Sequence, residues 1–205
     1  ITGMVKPIAG TVIVDDVVAD ALSPSQRISL GLARTFQTPR FDPQITVEEA
    51  VLCGFYPVRK SGVLGSMLRL PKCSAEERHF LRRCHEILDD LKLLPLKDMQ
   101  MGELPMGRVR LVEVARAVAN EPRYILLDEP AAGLSLDEQR MLAGEIRRLA
   151  ERGVGVLLVE HNFKLVRDLA EYLMVLKQGA CLIEGDPEHV ASDPSFIEAY
   201  LGRAA

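Results

Sequence analysis

Two adjacent carboxylates, Asp128 and Glu129, directly follow the apolar run "YILL". A second apolar run, "VLLV", is followed in the same way by Glu160 and His161. In open α/β sheets, ligands bind beyond the carboxyl ends of the strands, where such side chains project. Strand ends also carry acids simply because acids are well solvated, so either pair alone would be weak evidence. Together, the two pairs predict a site at one edge of a sheet.

Phosphoryl transfer from a nucleotide would make use of this set of side chains. The reaction needs a cation held against the phosphates and a group that orients the attacking water. Asp128 suits Mg²⁺ or its water shell, and Glu129, one residue later, could polarise water. His161 could contact the terminal phosphate, and Gln37, in a loop after a short strand, could reach both metal and water. A lone loop glutamine is usually solvated and a lone histidine usually structural, so these assignments depend on one another.

Strands alternate with helices along most of the chain, which is how such side chains would be brought to one edge. Strands are predicted in "GTVIVDD", "ARTF", "YILLDEP", "VGVLLVEHN" and both arms of "LMVLKQGACLIEGD", a β-hairpin that turns at Gln178-Gly179. Helices are predicted in "PSQRISL", "LDEQRMLAGEIRRLAERG", "FKLVRDLAEY" and "DPSFIEAYL", the last with Gly202 beyond its end. This alternation predicts an α/β fold with a parallel, doubly wound sheet.

A mostly helical lobe interrupts the alternation from about residue 43 to residue 120. Thr46 can cap a helix in "TVEEAVLCGFY", because acids follow it in the first turn. Residues 58–74 contain Gly and Ser and are predicted to be irregular. Residues 75–93 have apolar side chains at helical spacing, which predicts an amphipathic helix that packs on the core. A further helix is predicted in "MGRVRLVEVARAVANEP".

Composition excludes several classes of protein. The chain has 205 residues, enough for one large domain or two small lobes, and a net charge of −4, which argues against a general nucleic-acid binder. No apolar run approaches the roughly 18 residues of a membrane span, and "ITGMVKPIAG" lacks a signal-peptide layout. Any membrane connection is therefore expected to go through a partner. The four cysteines, with neither a C-x-x-C pair nor a matching histidine, are expected to be reduced, mostly buried thiols: Cys53, Cys73, Cys84 and Cys181.

The order of the segments resembles that of ATP-binding-cassette (ABC) ATPases. The segments are "RTFQTPRFDPQITVEEAV", then "LPMGRVRLVEVARAVANEPRYILLDEPAAGLSLDE", then "GVLLVEHNFKLV". They are similar to the Q-loop, signature helix, Walker B, D-loop and H-loop of that family. Within the family, "ARTFQTPRFDPQITVEEAV", "DEPAAGLS", "VEHNFKLV" and "FIEAYLG" resemble the ATPase subunits of branched-chain amino acid importers.

The resemblance implies a fold, cofactors and roles for named residues. The fold would be a P-loop NTPase-type, mostly parallel sheet core, incomplete at the N-terminus, with an inserted helical subdomain. Residues 1–42 and 121–205 would form the ATP-binding core, and residues 43–120 the signature subdomain. The cofactors would be ATP and Mg²⁺. Gln37 would sense metal and γ-phosphate, Asp128 would be the Walker B aspartate, Glu129 the catalytic glutamate and His161 the switch histidine.

The residues that would contact ATP bound by the opposite subunit of a dimer are also implied by resemblance. The segment "LPMGR" occupies the place of the family's LSGGQ signature and comprises Leu104, Pro105, Met106, Gly107 and Arg108. Gly107 would lie at a helix N-terminus, whose N–H groups suit a phosphate. Pro105 stands where the family has serine, and this removes a hydroxyl and an N–H; Arg108 could supply compensating charge. Ser135 stands where the D-loop usually has aspartate.

A phosphate loop of the form G-x-x-x-x-G-K-[ST] does not occur in these 205 residues. In the family this loop precedes a helix that ends in residues like "ITG", with which the sequence begins. The expectation is an ABC ATPase without its first strands, its nucleotide-stacking aromatic residue and its phosphate loop. The chain as given is then expected to hydrolyse ATP negligibly, whereas the intact protein would be an ATPase.

Three functions are compatible with this sequence. The first is the energy-coupling subunit of a solute importer, cytoplasmic and peripheral on the inner face of the cell membrane. Its partners would be membrane permease subunits, a second ABC ATPase subunit in a homo- or heterodimer and, indirectly, a solute-binding protein. The second is a non-hydrolysing regulatory or scaffold cassette. The third, an ABC ATPase acting on DNA or ribosomes, is disfavoured because no coiled-coil insert, tandem cassette or basic linker is seen.

Overall fold

The computed structural model of the protein describes residues 1–59 and 71–201. The chain forms two compact units, Ile1–Val159 and Glu160–Ala205. Most of the segment that was predicted to be irregular, and Gly202 beyond the last helix, lie outside the described residues.

The first unit opens with a short hairpin where the sequence predicts a single strand. Strand β1 (Ile13–Val14) pairs antiparallel with β2 (Val17–Val18). The turn consists of Asp15 and Asp16, both in the left-handed region with φ of 46° and 64°. Two-residue hairpin turns of this kind are usually signalled by Asn-Gly or Asp-Gly, so Asp-Asp is a weak sequence signal. The hydroxyl of Tyr124 donates a hydrogen bond to the carboxylate of Asp15 and ties the turn to a distant part of the chain.

A parallel three-stranded sheet forms the centre of the first unit, as the sequence predicts. Helix α1 (Pro24–Ser29) begins after the capping residue Ser23 and leads into strand β3 (Leu32–Arg34). Strand β4 (Tyr124–Asp128) lies between β3 and β5 (Gly155–Val159) and pairs with both in parallel. The three carboxyl ends therefore meet at one edge of the sheet.

Three helices separate β3 from β4 in the chain and pack on one another. They are α2 (Val47–Leu52), α3 (Pro71–Asp90) and α4 (Met106–Ala119). Short 3₁₀ turns lie between them, at Cys53–Val58, Leu94–Leu96 and Met101–Glu103. Thr46 caps α2 as predicted, because its hydroxyl accepts from the N–H of Glu49 while the Glu49 carboxylate accepts from the N–H of Thr46.

The bounds of α3 differ from the predicted helix over residues 75–93. The helix begins at Pro71, within the segment that was predicted to be irregular, since proline is compatible with a first turn. It ends at Asp90 because Lys92 adopts a left-handed conformation with φ of 54°. The N–H of Leu93 then donates back to the carbonyl of Leu88 at 2.7 Å, which satisfies a carbonyl of the last turn. Glycine usually marks such an ending, and a lysine gives no comparable signal.

The four cysteines were predicted to be reduced and mostly buried, and only part of this prediction is correct. Cys53, Cys84 and Cys181 are free thiols, but Cys53 and Cys181 are exposed. Cys84 is buried under α2, and burial together with the charge of Glu48 raises the pKa of its thiol to about 12. The side chain of Cys73 lies outside the described residues.

Helix α5 (Leu136–Glu151) connects β4 to β5 and carries a buried acid. Glu145 is 1% exposed and pairs with Arg148 at 3.0 Å. Arg148 also bonds Asp90, the last residue of α3, at 2.5 Å. Burial raises the pKa of Glu145 and the nearby guanidinium of Arg148 opposes this shift. Arg148, in the last turn of α5, thus joins the end of α3 to the buried Glu145.

The second unit contains an antiparallel ribbon and three helices within its described residues. The elements are α6 (Phe163–Leu169), β6 (Leu173–Lys177), β7 (Ala180–Gly185), α7 (Pro187–Ser192) and α8 (Pro194–Leu201). The predicted hairpin is confirmed, with Gln178 and Gly179 at φ of 51° and 82°. Helix α7 was not predicted, although Asp186 as a cap before Pro187 is a sequence signal for it. No helix within residues 1–59 and 71–201 is long and apolar enough to span a membrane.

Candidate active site

The two adjacent acids lie where strand β4 ends. Asp128 is the last residue of the strand, and Glu129 turns the chain with a left-handed φ of 46°. The N–H of Glu129 donates to the carbonyl of Val159 at 2.9 Å, and its own carbonyl accepts from the Arg110 guanidinium at 3.2 Å. A left-handed residue interrupts the pleat, so Glu129 does not continue the alternation of the strand. Its unusual backbone is held from both β5 and α4.

The loop after β3 brings Gln37 to Glu129. The amide nitrogen of Gln37 donates to the Glu129 carboxylate at 3.0 Å. Buried Thr35 fixes the start of this loop, because its N–H donates to the carbonyl of Leu126 at 2.9 Å and its hydroxyl accepts from the N–H of Asp128 at 3.1 Å. The structure therefore brings together three of the predicted site residues, Gln37, Asp128 and Glu129.

Asp128 has a partner that the sequence analysis missed. The guanidinium of Arg34 donates to its carboxylate at 2.9 Å, and both side chains are about one-third exposed. Arg34 also donates to the hydroxyl of Thr2 at 3.3 Å and lies over the ring of Phe36. It stands at the end of β3 beside β4, so the pairing of these strands places it next to the acid. That neighbour relation requires the strand order, which the sequence pattern does not supply.

One face of α4 supports the loop that carries Gln37. Arg110, Glu113 and Arg116 are spaced three residues apart and lie on that face. Glu113 is 2% exposed and pairs with Arg116 at 2.5 Å. Burial raises the pKa of Glu113, while Arg116 and the backbone N–H of Phe36 oppose the shift. Arg116 also lies over the ring of Phe41, 4.5 Å from its centre. These contacts hold the loop to the helix at Phe36 and at Phe41.

The predicted signature and D-loop residues meet at Glu138. Arg108 pairs with the Glu138 carboxylate at 3.0 Å, so its charge is engaged within the unit. Ser135 caps α5: its N–H and its hydroxyl each donate to Glu138 at 2.9 Å, and its hydroxyl oxygen accepts from the N–H of Glu138 at 3.4 Å. Hydrogen bonding from Ser135 and the charge of Arg108 hold the pKa of Glu138 below its ordinary value. Gly107 is buried beside this cluster, and an added Cβ would lie 3.3 Å from Glu138.

The remaining signature residues lie around the start of helix α4, of which Met106 is the first residue. Pro105 precedes the first turn and makes no side-chain capping bond. Leu104 is half-buried, whereas Met106 is 60% exposed. The first turn of α4 thus carries an exposed thioether and N–H groups that Pro105 does not cap.

His161 belongs to the second unit, so its position relative to the acids stays a prediction. Its side chain is exposed, and its carbonyl accepts from the hydroxyl of Tyr200 at 3.0 Å. The next residue, Asn162, caps α6 by accepting from the N–H of Leu165 at 3.3 Å.

The donor set at the end of β4 fits a magnesium ion bound together with a nucleotide. Mg²⁺ in such sites takes one or two carboxylates, with water and phosphate oxygens completing an octahedron. Asp128 supplies a carboxylate. Gln37 uses its amide nitrogen on Glu129, which leaves its amide oxygen for a cation. Within residues 1–59 and 71–201 no group of three or more His, Cys, Asp or Glu side chains could hold a metal by itself.

Comparison with known protein families gives this site a context. Residues 1–132 match the profile of the ABC transporter family. The chain belongs to the ABC transporter family. This ABC chain is 34% identical over 205 residues to the high-affinity branched-chain amino acid transport ATP-binding protein LivG of Escherichia coli, covering 100% of the chain and 80% of LivG. It is 33% identical to the corresponding protein BraF of Pseudomonas aeruginosa, with the same coverage. It is thus an ABC ATP-binding subunit homologous to branched-chain amino acid transport ATPases.

Solved structures confirm the fold. An ATP-binding cassette of an ABC transporter in its ADP conformation superposes with a TM-score of 0.79 at 31% identity, covering 98% of this chain and 80% of that one. A nucleotide-free cassette gives the same TM-score at 30% identity, covering 98% and 81%. The predicted P-loop NTPase-type α/β core is therefore confirmed for this ABC subunit.

Proposed function

We propose that this chain belongs to the ATP-hydrolysing, energy-coupling subunit of an importer for branched-chain or related amino acids. The observation that carries the proposal is the hydrogen bond between Gln37 and Glu129 at the end of β4, beside Asp128. A water-polarising carboxylate needs a fixed direction, and an amide donor gives it one without adding charge. The homology to LivG and BraF supports amino acids as the cargo.

Each site residue has a distinct task in this proposal. Asp128 and the amide oxygen of Gln37 would hold Mg²⁺, and the ion would supply positive charge beside the phosphates. Glu129 accepts a proton from the attacking water, and His161 contacts the terminal phosphate. The signature residues, Leu104 to Arg108, and Ser135 face the nucleotide of the opposite subunit. The Arg108–Glu138 pair supports this task by joining the signature segment to the cap of α5.

The partners follow from the same proposal. Two ABC subunits, identical or different, close on ATP, and membrane permease subunits dock on the pair at the inner face of the cell membrane. A solute-binding protein acts indirectly, through the permease. In this proposal, residues 1–42 and 121–205 form the ATP-binding core and residues 43–120 form the signature lobe. Helices α2, α3 and α4 fall within residues 43–120.

Glu129→Gln in the assembled transporter tests the hydrolytic function. We expect ATP turnover to fall about a hundredfold or more, because the amide keeps the shape but loses the proton acceptor. Glu151→Gln, at an exposed position on α5, makes the same chemical change away from the site and should leave turnover unchanged. Turnover that survives Glu129→Gln refutes the role of Glu129. A wild-type complex that binds ATP without turning it over supports the regulatory or scaffold function instead.

The transported solute must be measured separately, because relatives with similar sequence identity to this chain are named for different transport systems. The chain is 32% identical to the lipopolysaccharide export system ATP-binding protein LptB of Acidithiobacillus ferridurans, covering 98% of this chain and 77% of LptB. Vesicles that contain the complex should accumulate labelled leucine, isoleucine or valine when supplied with ATP. ATP turnover that is not accompanied by uptake of any of the three would reject the cargo while retaining the ATPase.

The 205-residue polypeptide by itself is expected to hydrolyse ATP negligibly. It contains no Gly-Lys dipeptide, and a phosphate loop contributes several charge-assisted hydrogen bonds to ATP. Four such bonds at about 1.5 kcal/mol each correspond to roughly four orders of magnitude in affinity.

A further inference from the structure

The segment "FIEAYLG" near the end of the sequence has no task in the proposed function, yet it contacts the backbone of His161. Tyr200, in α8, donates its hydroxyl hydrogen to the carbonyl of His161 at 3.0 Å. The same hydroxyl oxygen accepts from the N–H of Phe163 at 3.4 Å. A single hydroxyl therefore bridges the peptide groups on either side of Asn162.

The ring of Tyr200 is held in place by two phenylalanines. It stacks on Phe196, one helical turn earlier, with ring centres 5.3 Å apart, and lies 5.8 Å from the ring of Phe163. Phe196 is 5% exposed and itself lies 4.6 Å from Phe163. The hydroxyl is thus presented to the chain at His161 by a packed aromatic cluster. Loss of the hydroxyl alone would leave that cluster intact.

The start of α8 fixes the register of this cluster. The carboxylate of Asp193 accepts from the N–H of Ser195 at 2.7 Å and also from the Ser195 hydroxyl. These bonds begin the helix at a defined residue. Phe196 and Tyr200 are four residues apart in it and therefore fall on the same face. The sequence "DPSFIEAY" therefore encodes both the start of the helix and the direction of the tyrosine.

We propose that Tyr200 is a positioning residue for His161. An exposed imidazole that contacts a terminal phosphate needs a backbone held in one conformation. The Tyr200 hydroxyl holds this backbone by bonding the carbonyl of His161 and the N–H of Phe163. Tyr200 acts through the backbone of His161 and does not touch the nucleotide. This inference rests on the proposed role of His161 at the phosphate.

Tyr200→Phe tests the inference, because it removes one oxygen and keeps the aromatic cluster. In the assembled transporter we expect kcat for ATP to fall about fivefold, the effect of one neutral hydrogen bond, with KM for ATP within about twofold. Tyr172→Phe is the matched control, since it removes a hydroxyl that bonds Glu184 in the same unit. The control should retain wild-type kcat. An unchanged kcat in Tyr200→Phe, or an equal loss in the control, overturns the proposal.

Two further measurements separate positioning from general stability. Amide hydrogen exchange over residues 161–166 should be faster in Tyr200→Phe, while the midpoint of thermal unfolding stays that of the control. In a background of His161→Gln, the added Tyr200→Phe change should have no further effect on kcat, because both changes act on the same group. Additive losses, or unchanged exchange, show that Tyr200 acts elsewhere.

The failure of this inference can be distinguished from failure of the proposed function. If the wild-type complex has no turnover, or if turnover survives Glu129→Gln, the proposed function is wrong and the role of Tyr200 in catalysis is rejected with it. If turnover depends on Glu129 and on His161 but not on the Tyr200 hydroxyl, only the present inference is wrong.

Discussion

Ser135 shows how a single hydroxyl can be engaged before any ligand arrives. The resemblance to ABC ATPases assigns it to the nucleotide of an opposite subunit. Within its own subunit it caps α5 and forms a reciprocal pair with Glu138, which in turn binds Arg108. A residue at this point can serve both tasks, since the oxygen of a hydroxyl accepts two hydrogen bonds and its hydrogen donates one.

Ser135→Ala should lower the free energy of unfolding by about 1 kcal/mol, the usual cost of losing such a cap. Urea unfolding of the variant and the wild type measures the difference. Ser29→Ala, which removes an exposed hydroxyl that bonds the carbonyl of Ser25, should change stability by less than about 0.5 kcal/mol. Equal stabilities for Ser135→Ala and the wild type would contradict the capping role.

Arg148 joins helix α5 to α3 through Asp90 and also pairs with the buried Glu145 on its own helix. Arg148→Met should destabilise the chain by about 2 kcal/mol, because Glu145 is left buried without its partner; the figure is reduced from that of a fully buried pair since Arg148 is 38% exposed. Unfolding by urea provides the measurement. Arg140→Met on the same helix removes a pair whose side chains are 77% and 85% exposed and should cost less than about 0.5 kcal/mol. Equal losses in the two variants would refute this account.

The same buried acid makes the stability of the chain depend on pH. Burial raises the pKa of Glu145 above its ordinary 4.5, so the folded chain keeps this proton longer than the unfolded chain does. Its contribution to stability is complete below pH 4.5 and is lost as the pH rises through the folded pKa. Glu145→Gln, which carries no charge at any pH, should therefore gain stability relative to the wild type as the pH rises from 4.5. A difference between the two that stays constant from pH 4 to pH 8 would show that the folded pKa is not raised.

Elements with strong local signals were predicted from the sequence, and elements that depend on distant contacts were not. Apolar runs identified β4 and β5, and the Gln178-Gly179 turn identified the β6–β7 hairpin. The hairpin at Asp15-Asp16 and the ending of α3 at Lys92 use residues other than glycine in the left-handed conformation, and such residues are only a weak sequence signal for it.

The candidate site was predicted only in part for a related reason. Gln37, Asp128 and Glu129 lie at strand ends and loops, where polar residues are conspicuous, and the structure brings them together. Arg34 was missed because its partner Asp128 lies 94 positions away in the chain, and the role of Glu113 was missed because the loop residue Phe36 that it contacts is similarly distant. Such pairs become visible only when the order of the strands and the packing of α4 are known.

At the largest scale, the outer side of β5 is an open edge of the sheet of the first unit. Within the described residues, β5 pairs only with β4, and Leu157 and Val159 are 47% and 52% exposed. An apolar strand with unpaired peptide groups is a template for association. The 205-residue polypeptide should therefore form oligomers at micromolar concentration, as light scattering would detect. Leu157→Lys should reduce this association, whereas Lys177→Arg, which keeps the charge on another strand, should not; equal scattering by both would exclude β5 as the contact.

The pairing of β3 with β4 also affects the order in which parts of the newly synthesised chain can fold. Leu32 lies beside Tyr124, about 90 positions later, so at a synthesis rate of about 5–20 residues per second β3 waits roughly 5–20 seconds for its neighbour. The hairpin at Asp15 waits somewhat longer, since the hydroxyl of Tyr124 comes 109 positions after it. During that interval α2, α3 and most of α4 have already left the ribosome and can pack on one another. The order in which the elements are synthesised therefore differs from their order in the sheet, and the helices between β3 and β4 can pack before the sheet is complete.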